Sequence, residues 1–93
     1  MNIYEINNMK YELIKNFRDG FDITEVQNKY TDYFEDYDYI VGDWAYSKLR
    51  LKGFYDNSNK KVNKINNINN LDNYINNYCA TNCKYFVIKK VNQ

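Results

Sequence analysis

The chain has 93 residues, 13 cationic and 12 anionic side chains, a net charge of +1, and neither His nor Pro. That length allows one domain with a modest core, and the lack of His removes the commonest general base and metal ligand. No stretch reaches the ~20 apolar residues of a membrane span, and the leading MNIYEINNMK lacks the basic-then-apolar pattern of a secretory signal, so a single cytoplasmic domain, 1–93, is expected.

Ile3–Ile6 and Tyr11–Phe17 read as strands joined by Asn7-Asn8, because Asn tolerates the left-handed conformations of a tight turn. Asp19-Gly20 is a turn. Asp22 then starts a helix as N-cap, with Glu25 three residues on as in a capping box and Phe21 and Val26 as a hydrophobic staple. Ile23, Val26, Tyr30, Tyr33 and Phe34 recur at helical spacing, which predicts a helix over 22–34. Tyr37–Asp43 and Lys48–Tyr55 form a hairpin, followed by a polar, mobile loop over 56–66. A second helix runs from a cap at Asn67 to Cys79, with Ile68, Leu71, Ile75 and Tyr78 in its apolar stripe. Tyr85–Val91 is apolar on both faces, as a central strand would be. The order is ββαββαβ, an α+β domain with two helices packed on a mixed or antiparallel sheet.

In the hairpin, pairing Val41 with Leu49 and Tyr39 with Leu51 places all four apolar residues on one face, and these four are the expected core. The same register lays Tyr37 over Gly53 and sets Asp38 across from Lys52. Lys48, Arg50 and Lys52 then form a cationic ridge on the solvent face, about 7 Å between neighbours, with Arg50 facing Ile40. Trp44, Tyr46 and Tyr55 flank the ridge and could stack bases. Gly42 and Asp43 mark a bulge or close backbone approach and a possible functional turn.

The runs Tyr39-Ile40-Val41-Gly42-Asp43-Trp44 and Leu49-Arg50-Leu51-Lys52-Gly53-Phe54, with the later Tyr78-Cys79 and Cys83-Lys84-Tyr85-Phe86-Val87, resemble the YutD-like proteins of low-GC Gram-positive bacteria. The likeness extends from about Phe21 to Val91. It implies a small intracellular α+β domain and brings no established activity. Ala45 stands where the family usually has Gly, and Ala80-Thr81-Asn82 replaces a segment that usually holds Phe-Gly.

Cys79 and Cys83 supply half a zinc site at most, so two reduced, metal-free thiols are expected. Asp32, Glu35, Asp36 and Asp38 read as solvated or ion-paired carboxylates. Charge is lopsided: residues 1–43 hold four cations against ten anions, and residues 44–93 hold nine against two. Nucleophile elbows and phosphate-cradling glycine loops are absent, and no cofactor is expected. The leading reading is a non-catalytic binding domain that offers the Lys48–Lys52 ridge and its aromatics to RNA or a ribonucleoprotein. The alternatives are a protein-interaction module built on exposed tyrosines and the charge split, a merely solvated strand face, or an enzyme acting on a small anion through Asp43 and Arg50.

Overall fold

A computed structural model describes residues 2–78 and 83–91. Strands β1 (Ile3–Ile6) and β2 (Met9–Phe17) are joined by Asn7 and Asn8, both left-handed at φ 53° and 68°. This two-residue turn pairs Ile6 with Met9, so β2 begins two residues before the hydrophobic pattern suggests. A register shift between Leu13 and Lys15 turns Ile14 out to solvent.

Helix α1 spans Ile23–Lys29 and is capped by Asp22, whose Oδ1 accepts from the backbone N–H groups of Thr24 and Glu25. It stops well short of residue 34. Tyr30 leaves the helix at φ −68°, ψ 137° and is buried, with its hydroxyl 2.8 Å from that of Tyr11. Tyr33 and Phe34 belong instead to a 3₁₀ turn over Asp32–Asp36. Three-residue spacing suits either kind of helix, which is why the sequence pattern runs through the break.

Strands β3 (Tyr39–Ala45) and β4 (Lys48–Phe54) form the second hairpin, and β5 (Tyr85–Lys90) closes the sheet in the order β1-β2-β5-β3-β4, every pairing antiparallel. Between β4 and β5, Asn67 caps a 3₁₀ turn that leads into α2 (Leu71–Tyr78). The α+β class, the ββαββαβ order and the central place of the last strand all hold. Among the described residues no helix is long and apolar enough to cross a membrane.

Both faces of the sheet are covered. On one, Ile6, Tyr11, Ile40, Leu49, Phe86 and Ile88 pack with Val26 of α1. On the other, Tyr39, Val41, Phe54, Tyr85 and Val87 pack against Leu71, Tyr74 and Ile75 of α2. This two-sided burial overturns the expected hairpin register. Val41 lies opposite Lys52 rather than Leu49, and Tyr39 opposite Phe54 rather than Leu51. Leu49 and Leu51 face α1 while Tyr39 and Val41 face α2, and Leu51 is only half-buried. Collecting every apolar residue on one face is unnecessary when helices shield both. Tyr37 does cover Gly53, where a Cβ would lie 2.3 Å from the Tyr37 Cγ, but the residue paired with Gly53 is Ile40.

Loop 56–66 is laced to itself and to the hairpin. Asp56, Asn59 and Asn63 side chains accept from the backbone N–H groups of Ser58, Lys61 and Ile65, each two residues on. The Tyr55 and Ile68 N–H groups reach the Asn66 and Tyr55 carbonyls. A segment that reads as polar and mobile is thus pinned by short Asp and Asn side chains.

Candidate binding surface on the second hairpin

The turn of the hairpin is Tyr46-Ser47, held at φ 53° and 65°. That two-residue turn sets Ala45 against Lys48, Trp44 against Leu49 and Asp43 against Arg50. Asp43 is 1% exposed, between Arg50 on one side and Tyr85 on the other. Arg50 Nε donates to its Oδ1 at 3.0 Å and Nη2 to its Oδ2 at 2.9 Å. The carboxylate holds the guanidinium pKa above its ordinary value. Nη2 also donates to the Tyr78 carbonyl at 2.8 Å, tying the hairpin to the last residue of α2. The expectation that Arg50 faces Ile40 is therefore corrected: the register puts a buried carboxylate, Asp43, directly across from it. Both Asp43 oxygens are thus engaged by the guanidinium.

The remaining ridge residues diverge. Lys48 is exposed, whereas Lys52 is half-buried with its Nζ 5.4 Å from the Phe54 ring centre and 5.8 Å from that of Tyr74. Asp38 does not meet Lys52. It accepts instead from the Asp56 N–H and the Asn59 amide.

The three flanking aromatics also separate. Trp44 points to the α1 face, donates from Nε1 to the Gly20 carbonyl at 2.8 Å, and carries Lys84 Nζ 4.8 Å above its ring. Tyr55 is buried, stacked on Tyr37 with ring centres 4.6 Å apart, and its hydroxyl donates to Asp36. Tyr46 alone stands free, 99% exposed at the hairpin tip. Gly42 is a close approach rather than a functional turn, since a Cβ there would lie 2.1 Å from the buried Phe86 ring.

Folding brings the two halves of the charge split together. Lys61 meets Asp36 at 2.8 Å, and that bond, with the Tyr55 hydroxyl, holds the Asp36 carboxyl below its usual range. Lys90 Nζ donates to the Glu35 carbonyl at 2.7 Å. Cys79 lies outside the described residues. Cys83 is disulfide-bonded, against the expectation of reduced thiols, which rested on compartment alone.

The pair missed by sequence reasoning is Asp43–Arg50. Its signal was the distance of each residue from the turn: once Tyr46-Ser47 is taken as the two-residue loop, Asp43 and Arg50 are obligatory partners.

A family model described as "Putative antitoxin YutD-like" matches residues 5–89. The chain is 47% identical over 88 residues to "Putative antitoxin YutD" of Bacillus subtilis (strain 168), covering 95% of this chain and 97% of that protein. The solution NMR structure of the protein yutD from B. subtilis matches with a TM-score of 0.82 at 45% identity, over 98% of this chain and 83% of that one.

Proposed function

Because the chain belongs to the YutD-like family, we propose that it is a non-catalytic binding domain. Its contact surface is the tip of the β3–β4 hairpin, with Tyr46 as anchor, Lys48 beside it and a protein as partner. The observation that carries this reading is the conformation of Tyr46, which is 99% exposed while held at φ 53°. A left-handed L-residue costs roughly 1–2 kcal/mol, and hairpin turns of this kind ordinarily use Asn and Gly. Strain at a fully exposed aromatic points to use, and Tyr is among the residues that anchor protein interfaces. The B. subtilis relative bears the name "Putative antitoxin YutD", which fits a protein partner. The RNA reading of the ridge is the weaker one, since Arg50 is ion-paired, Trp44 packs on the sheet face opposite to Lys52, and Tyr55 is buried.

The test is a pull-down from host lysate, with and without nuclease, using the wild type and the double variant Tyr46→Asn/Ser47→Gly. The expected result is capture that survives nuclease and is lost in the variant. Capture abolished by nuclease, or unchanged by the variant, overturns the proposal.

A further inference from the structure

We propose that the cleft between α2, the edge of β4 and loop 56–66 is a site for one nucleotide, a nucleoside monophosphate unit. The cleft encloses about 380 Å³, within the range of small-ligand sites. It is lined by Lys52 of β4, by Lys64 and Ile65 of the loop, and by Asn73, Tyr74, Asn77 and Tyr78 of α2.

Each part of a nucleotide has a counterpart there. For the phosphate there are two ammonium groups, Lys52 and Lys64. No lining residue is acidic, and the ion pairs found among the described residues engage Arg50 and Lys61 instead. Lys52 is positioned by the ring faces of Phe54 and Tyr74, which steady its charge without cancelling it. For the base there are two large side chains left in solvent at the cleft, Tyr78 of α2 at 64% exposure and Ile65 of the loop at 76%. Tyr78 lies 5.2 Å from Tyr74 and tilted 31° to it, so an inserted planar ring would extend an aromatic pair already formed. For the base edge, Asn73 and Asn77 stand one helical turn apart on the cleft side of α2, and an amide both donates and accepts. Bare phosphate would leave the rings unused, and a neutral aromatic would leave the lysines unused. A nucleotide engages both.

The experiment is amide chemical-shift titration of the full chain with AMP, UMP, adenosine, inorganic phosphate, a glutamate-rich peptide and a single-stranded RNA pentamer. The nucleotides are expected to shift Lys52, Lys64 and residues 73–78, and to bind at least tenfold tighter than adenosine, phosphate or the peptide. Lys64→Gln and Tyr78→Ala should each weaken AMP at least tenfold with spectral dispersion retained. Tyr46→Ala should leave AMP binding unchanged, so this result stands or falls apart from the hairpin-tip reading. An RNA pentamer that displaces AMP identifies a nucleotide presented within a strand, and one that does not identifies a free nucleotide. Absence of shifts at millimolar AMP, phosphate or peptide binding as tightly as AMP, or unaltered affinity in Tyr78→Ala overturns the proposal.

Discussion

Truncating Arg50 to Ala tests the slipped register and the buried ion pair together. Asp43 is 1% exposed, and both of its oxygens are held by the guanidinium at 3.0 and 2.9 Å. Two charge-assisted hydrogen bonds contribute about 3–6 kcal/mol if taken at face value. The Arg50 side chain is 46% exposed, however, so water enters the vacated space and re-solvates part of the carboxylate. That discounts the loss to about 2–3 kcal/mol, a large share of the ~5–10 kcal/mol expected of so small a domain. Equilibrium urea unfolding followed by circular dichroism measures it, with the denaturant slope unchanged if only stability moves. Arg50→Lys should recover less than half, because a single ammonium cannot make both forked bonds. Adding Asp43→Asn to Arg50→Ala should recover about 1 kcal/mol by removing the stranded charge. If Arg50 instead faced Ile40, as the pattern of the sequence suggests, the loss would stay within about 0.5 kcal/mol. A loss that small, or a double variant less stable than Arg50→Ala, refutes the reasoning.

Replacing Tyr46-Ser47 with Asn-Gly should raise stability by roughly 1 kcal/mol in the same assay, since both positions are left-handed; a lowered midpoint would mean the turn is not strained. Leu49→Ala, at 2% exposure, should cost about 2–5 kcal/mol and half-buried Leu51→Ala clearly less, an order that the single-face register does not give. Gly42→Ala should cost about 1–3 kcal/mol or more in thermal or urea unfolding, because the Phe86 ring occupies the place of the new methyl group; a neutral result would show that ring free to move. In alkaline titration at 295 nm, the Tyr37 hydroxyl is pushed up to about 12 by its bond with Tyr33. Those of Tyr11 and Tyr55 are also raised, by burial and by the Asp36 carboxylate respectively. Their folded values exceed the unfolded value of about 10, so this stabilisation is complete below about pH 10 and is lost as pH rises through the folded values. Ionisation of all eleven tyrosines together near pH 10 in the native protein would contradict it.

What the sequence made legible was local. Asn7-Asn8, Asp22 and Asn67 each announce a turn or cap through their own side-chain chemistry, and each stands where that chemistry places it. The doubly apolar run at β5 was legible as a central strand because only burial on both sides accounts for it. The register of β3 on β4 was not legible. Tyr-Ser is an unusual occupant of a left-handed turn, and the single-face assumption favoured a neater but wrong pairing. The candidate site inherited that error: Arg50 was given an apolar neighbour, and Trp44 and Tyr55 were assigned to a face they do not occupy. The end of α1 at Tyr30 escaped notice because the bond between the Tyr30 and Tyr11 hydroxyls spans nineteen positions along the chain.

The middle strand of this sheet is also the last in chain order. Each hairpin, β1–β2 and β3–β4, can close on its own within microseconds, yet no backbone ladder joins them until β5 slides between β2 and β3. A nascent or truncated chain lacking β5 therefore presents two sticky inner edges at once, each seeking the same missing strand. Such an intermediate invites pairing with another copy. Assembly of the domain is gated by arrival of its final segment rather than by the formation of its parts, and an extended peptide that mimics Tyr85–Lys90 would act on folding yield well before it acted on the finished protein.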